Sequence, residues 1–177
     1  MDYQPNDGDS DKPVVLLLKR SSSKFTQNQG DFKIRRWPPK LGGAGAVRDA
    51  LAEEFPEHSI QIFSDSDYTL MMCHACAAQL FSRVDVVVGI HGAGLTNCIY
   101  MKPGGVVVEG IPHFDSRHAP VTGIFGRLSG MMGLNHYSYN IDEDFHPVKI
   151  AKDTRIFYDE VKEGQPRAMP VHLAHGD

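Results

Sequence analysis

The chain has 177 residues, 41% of them hydrophobic and 23% charged, with a formal net charge of −4. That length suits one domain with a real core, and an acidic balance without a dense basic stripe argues against a general nucleic-acid binder. No apolar run approaches the ~18 residues of a membrane span, and the first residues lack the apolar stretch of a signal peptide.

Met1 to Lys12 is acidic, polar and rich in turn formers, and reads as a disordered lead-in. Val14 to Leu18 is a continuous apolar run, the pattern of a strand buried on both faces of a parallel sheet. Lys19, Arg20, Lys24 and Asn28 follow its carboxyl end, where open α/β sheets collect ligands; the alternative is an ordinary solvated loop. From Gln29 to Gly45 the chain is irregular, with a stiff Arg35-Arg36-Trp37-Pro38-Pro39 stretch and a flexible Gly42-Gly43-Ala44-Gly45. The glycines lack the Lys-Ser/Thr of a Walker loop and read as a linker. Trp37 either stacks on a base or sugar, or packs and anchors its loop.

Ala46 to Phe55 has helical spacing and stops at Pro56, Ser59 to Phe63 alternates as a strand, and Tyr68 to Phe81 reads as a second helix capped by Asp65, Ser66 or Asp67. Cys73 and Cys76 fall inside that helix rather than at its start, and no further zinc ligands stand at usable spacing. Three cysteines do not make a disulfide framework, so these two thiols and Cys98 read as buried packing groups. His74 reads as a histidine at the edge of the core.

Val84 to Gly89 is the next buried strand. It runs into His91-Gly92-Ala93-Gly94, where two glycines permit a sharp bend and close approach to a ligand, and then into a short helix ending at Tyr100. A glycine turn between strand and helix start offers unpaired N–H groups to an anion; the alternative is a turn needing glycine for geometry alone. Val106 to Glu109 is a further strand, and its terminal carboxylate must find a partner: either a basic side chain or ligand hydroxyls. Ile111 to Arg117 reads as a loop carrying His113, Asp115 and Arg117, with His118 next. A helix over Pro120 to Gly133, a strand over Asn135 to Asn140 and a short helix over Thr154 to Lys162 complete the pattern. Residues 1–12 are then a lead-in, 13–162 one domain and 163–177 a tail. The alternation predicts an α/β fold, an open and mostly parallel sheet with helices on both faces and ligand groups at the strand ends.

Asp85 to Asn97, read with Met101-Lys102-Pro103-Gly104-Gly105-Val106-Val107-Val108-Glu109, resembles the signature of the family 61 glycosyltransferases. That signature is strand, Gly-x-His-Gly-Ala-Gly-Leu-Thr-Asn, apolar run, Pro-Gly, strand, Glu, and all of those positions are filled. Gln79 and the Asn135 to Tyr139 stretch are similar as well. Arg20, Lys24 and Asn28 fall on the family's basic pattern after a first strand, with Lys24 in place of the usual arginine and its two-pronged grip on phosphate. The resemblance runs from Val14 to Tyr139. The family includes protein O-linked N-acetylglucosaminyltransferases and plant xylan xylosyl- and arabinosyltransferases.

The resemblance implies a two-domain GT-B transferase whose Rossmann-like C-terminal half binds a UDP-sugar, and this chain looks like that half. The acceptor-binding half and a membrane anchor are expected in a full-length form, in the Golgi or endoplasmic reticulum lumen. Carried over by residue, the donor pocket would be Arg20, Lys24, Asn28, His91, Gly92, Ala93, Gly94, Leu95, Thr96, Asn97 and Glu109, with Glu109 on the ribose hydroxyls. The partners implied are the UDP-sugar as co-substrate and a glycan or glycoprotein acceptor, with no nucleic acid, no cofactor and no required metal. No residue is assigned as catalytic base. Two other readings stay open: a non-catalytic nucleotide-sugar or phosphate-binding module, and a dinucleotide oxidoreductase. The second expects Gly-x-Gly-x-x-Gly after the first strand, and no glycine cluster follows Leu18 there.

Overall fold

Val14–Lys19 (β1), Ser59–Ser64 (β2), Val84–Ile90 (β3), Val106–Pro112 (β4) and Asn135–Ile141 (β5) pair in the order β2-β1-β3-β4-β5. Every pairing is parallel. The computed structural model describes residues 12–19, 37–38, 42–64, 73–112, 123–141 and 146–164. Parallel neighbours need crossovers, and helical segments lie in each: Gly43–Glu54 (α1), His74–Phe81 (α2), a 3₁₀ helix over Ala93–Tyr100 and Ile124–Met131 (α3). Pro147–Lys162 (α4) follows β5.

The unbroken Val/Leu runs fit strands covered on both sides. Val15, Leu17, Val86, Val88, Val106 and Val108 pack with Val47 and Leu51 of α1 and with Ile150 and Phe157 of α4. On the opposite face Val14, Leu16, Val87 and Val107 pack with Leu80 and Phe81 of α2, Leu95 of the 3₁₀ helix and Phe125 of α3. Each such side chain contributes about 1.5–3 kcal/mol on leaving water, so the two seams dominate stability. The strand order places the site. Connections from β1 to β2 and from β3 to β4 run to opposite sides, and the crevice between the carboxyl ends of β1 and β3 is the switch point where open α/β sheets bind ligands.

The α/β class and the open parallel sheet are therefore as expected, while several local expectations differ. The Gly42–Gly45 cluster is no linker: Gly42, at φ +83°, is the N-cap position, and the next three residues form the first turn of α1. α4 begins at Pro147, well before Thr154, because a proline ring suits a first helical position that needs no N–H. α3 is shorter than Pro120 to Gly133, and β4 continues through Ile111 into Pro112. Trp37 packs: it is 4% exposed, and its indole Nε1 donates to Leu18 O at 2.8 Å. His74 is exposed on the first turn of α2 rather than set at a core edge. Residues 1–11 of the expected lead-in, the caps at Asp65 to Asp67 and Tyr68 to Met72 lie outside the described residues.

The glycine that close packing demands is Gly89. A Cβ built there would stand 3.0 Å from Leu18 Cδ1 and 3.1 Å from Leu18 Cβ, so the whole leucine would have to move. Alanine in a strand interior normally gains 0.5–1 kcal/mol over glycine, but overpacking costs about 1–3 kcal/mol and wins here. Gly89→Ala is expected to lower the urea midpoint with an unchanged slope.

Candidate functional site

His91, Glu109 and His136 meet at the carboxyl end of the sheet. β3 and β4 pair Gly89 with Glu109, and β4 and β5 pair Val107 with His136. Side chains alternate along a strand, so Glu109 shares a face with His136 diagonally across and with His91 just past β3. That face is the one covered by the 3₁₀ helix and α3. The His91 amide extends the ladder by donating to Gly110 O at 2.8 Å.

The Glu109 side chain is fully buried. A lone ionised carboxylate could not persist in such a place. Both oxygens are engaged: His91 Nδ1–H donates to Oε1, and His136 Nε2–H donates to Oε2 at 2.8 Å. Burial alone would raise the Glu109 pKa, but the hydrogen bonds from His136 and His91 outweigh it and hold the carboxyl below its ordinary value, in the ionised form. Of the two fates open to this carboxylate it takes the basic partners. Its placement on ribose hydroxyls is corrected accordingly, since no oxygen is left over and none reaches the surface.

The His91 ring stacks edge-on against Phe125, with centroids 5.3 Å apart, and is 7% exposed. With Nδ1 committed to Glu109, Nε2 is the nitrogen left for a ligand. Beyond the ring, Gly92 has an extended backbone (φ 163°, ψ 171°) and Gly94 has room for a Cβ, 3.6 Å from Leu18 Cδ1. The bend expected here falls at His91 and Gly92, where the chain leaves the strand for the 3₁₀ helix, and neither Gly92 nor Gly94 adopts a left-handed conformation to make it. The Leu95 amide is tied to Gly92 O at 3.0 Å, whereas the Gly92, Ala93 and Gly94 amides have no backbone partner among the described residues. Leu95 itself is fully buried in the core. Its expected part in a ligand pocket is corrected: it is the anchor that seats the loop. Asn97 Nδ2 donates back to Gly94 O at 3.3 Å, and Ala93 and Thr96 are exposed.

Arg20, Lys24 and Asn28, together with His113, Asp115, Arg117 and His118, lie outside the described residues. β1 ends beside the loop, because Leu18 touches both Gly89 and Gly94, and Arg20 is two residues further on in sequence. His136 escaped the sequence reading as a site residue. A histidine early in a polar strand carries no periodic signal, and only the β4–β5 register brings it to Glu109.

The cysteines also differ from expectation. Cys73 and Cys76 form a disulfide, with Cα atoms 5.2 Å apart, at the start of α2 rather than within it. Cys73 is the N-cap, and its Sγ accepts from Cys76 N at 3.1 Å. Cys98 is a buried free thiol as expected, its pKa pushed up to about 11 by burial. Among the described residues no cluster of three or more His, Cys, Asp or Glu could hold a metal ion. None of their helices is long and apolar enough to cross a membrane.

A parallel α/β sheet in the 2-1-3-4-5 order has the flavodoxin-like arrangement, and the histidine–glycine loop lies at its switch point, where sheets of this kind bind ligands. The fold is similar to that of an oxidoreductase from Corynebacterium diphtheriae, with a TM-score of 0.51, 12% identity and coverage of 86% of this chain and 96% of that one. Likeness at that identity concerns the fold alone. The family described as Glycosyltransferase 61 matches residues 40–108, from just before α1 into β4. The chain is 34% identical over 82 residues to Alpha-1,3-arabinosyltransferase XAT3 of Oryza sativa subsp. japonica, covering 45% of this chain and 14% of the relative. It is 23% identical over 134 residues to Alpha-1,3-arabinosyltransferase XAT2 of the same plant, covering 73% and 19%. It is also 31% identical over 84 residues to Beta-1,2-xylosyltransferase XAX1 from that plant, covering 46% and 15%. The chain therefore spans less than a fifth of the length of these relatives.

Two outcomes follow from the buried groups. Because the folded Glu109 pKa is depressed, its stabilisation is complete above about pH 4.5 and lost as pH falls through the lower folded value. Denaturant titrations across that range should show an acid limb that Glu109→Gln flattens, while lowering stability at neutral pH by about 1–3 kcal/mol. In thiol titration without reductant, Cys98 should stay unreactive until the chain is unfolded.

Proposed function

We propose that this chain is the donor-binding half of a family 61 glycosyltransferase, one that moves a sugar from a UDP-sugar to a glycan or glycoprotein acceptor in the Golgi or endoplasmic reticulum lumen. One observation carries this reading. The His91–Gly94 loop leaves β3 at the β1/β3 switch point with three amides that have no backbone partner among the described residues, beside a histidine clamped by a buried carboxylate.

An activated sugar leaves behind a diphosphate, and the transferase lowers the barrier by stabilising the charge that develops there. The Gly92, Ala93 and Gly94 amides supply hydrogen-bond donors that need no reorganisation. His91 turns Nε2 toward the diphosphate, to hydrogen-bond a phosphate oxygen or, as imidazolium, to add positive charge, with the ionised Glu109 behind the ring. Arg20 and Lys24, in the segment that follows β1, add positive charge, and the neutralisation requires no metal. Thr96 and Asn97 add polar groups at the loop, and the family resemblance adds Asn28 to them. Glu109 is not the general base, since both of its oxygens are bonded to rings.

Calorimetric titration of the 177-residue chain with UDP tests this. Saturable binding is expected, weakened by about 1–3 kcal/mol in His91→Ala and in Arg20→Ala, the scale of a charge-assisted hydrogen bond. Unchanged affinity in both folded variants would remove the site. UDP binding together with failure to transfer sugar would assign the chain to donor binding without turnover.

A further inference from the structure

We propose that His136 and Glu109 are positioning residues of the donor site, a buried line that fixes the His91 ring with its proton on Nδ1 and presents Nε2 to the ligand. The inference rests on the donor reading for what Nε2 meets; the line itself rests on geometry. Glu109 Oε2 accepts from His136 Nε2 at 2.8 Å, and Oε1 accepts from His91 Nδ1. Neither Glu109 nor His136 is placed to touch a ligand: the carboxylate is fully buried with both oxygens bonded, and His136 has Nε2 on Glu109 and Nδ1 buried.

His136 donates from Nε2 and turns its other nitrogen inward. That Nδ1 is buried without a partner among the described residues, and a Cβ on Gly126 of α3 would stand 3.4 Å from it. The ring is therefore wedged between α3 and β4, in an orientation that serves one acceptor, the Glu109 carboxylate. A hydrocarbon side chain would fill this niche without leaving a buried nitrogen unbonded, so the histidine's use is the hydrogen bond it gives.

The line works through the charge on Glu109. While ionised, the carboxylate can only accept, so His91 must keep a proton on Nδ1. Protonated, it would become a donor, and the His91 ring would turn over its proton to Nε2, losing both orientation and the negative charge that supports an imidazolium. The hydrogen bond from His136 contributes most to holding Glu109 below its ordinary range against burial. The other titratable groups near this carboxylate are Cys98 in the 3₁₀ helix and Tyr139 of β5. Burial pushes the Cys98 pKa to about 11 and the Tyr139 pKa well above its ordinary value, so both stay neutral. α3 presents Phe125 and Ser129 to this layer, neither of which titrates.

The test is nitrogen-15 NMR of the histidine rings in the 177-residue chain, with UDP titrations from pH 5 to 8 on wild type, His136→Leu and His136→Gln. Ligand-free wild type is expected to hold neutral His91 as the Nδ1–H tautomer, opposite to the form preferred in water. His136→Leu should weaken UDP binding by roughly tenfold, the low end of the loss seen when the outer partner of a metal-bound histidine is removed. Its affinity should begin to fall at a higher pH on the acid side than in wild type. His136→Gln, whose amide can donate to Glu109, should recover most of the affinity and the wild-type pH profile. A His91 ring found as Nε2–H in the wild-type chain overturns the inference, whether or not His136→Leu folds. So does a folded His136→Leu that binds UDP with wild-type affinity and profile. If wild type binds no UDP, the donor reading falls, and the His91 tautomer still decides the positioning line.

Discussion

An ionised carboxylate with no exposed surface is the constraint on which the carboxyl edge of this sheet depends. Glu109 ends an otherwise apolar strand, and only ring N–H groups on both of its oxygens make its burial tolerable. Meeting that need requires β3, β4 and β5 to hold a single register, since a slip of one residue would turn Glu109 or His136 to the opposite face. The carboxylate thereby ties three strands together at the point where the glycine loop departs, and the loop inherits their rigidity.

The loop is held from below rather than by its own turn chemistry. Leu95 is sunk into the core, Leu18 packs tightly against Gly89, and Trp37 bonds the Leu18 carbonyl. This leaves Gly92 to Gly94 as a short stretch of backbone lying on a packed base, with amides that have no backbone partner among the described residues. Preorganised donors of this kind act on developing charge without a reorganisation cost. The same logic assigns the other side of the molecule to stability. Arg155 of α4 bonds Glu57, Asp159 and the Glu54 carbonyl and lies over the Phe55 and Tyr158 rings, bracing α4 against the α1–β2 turn.

The disulfide and the free thiol show how far spacing alone can mislead. Cys-x-x-Cys has the same appearance inside a helix and at its start, and the difference is one of where the helix begins. With His74 as the first helical residue, Cys73 becomes a cap that faces Cys76 one turn on, and the pair can close. Cys98, lacking such a neighbour, stays a buried packing group whose thiol is held neutral by its surroundings.

Apolar runs, glycine breaks and helical spacing were enough to read the strands β1 to β5, the parallel sheet and the importance of the loop after β3, because these are local, periodic consequences of burial on two faces. The family resemblance was likewise legible, since a long motif with fixed order survives at low overall identity. What tertiary structure alone decided concerns partners distant in the chain. The strand order that makes β1 and β3 neighbours, the Glu109 oxygens turned onto two histidines instead of a ligand, and the recruitment of His136 all depend on register between strands far apart in sequence. Hydrogen bonds between such side chains leave no period in the sequence, so only the assembled sheet could reveal them.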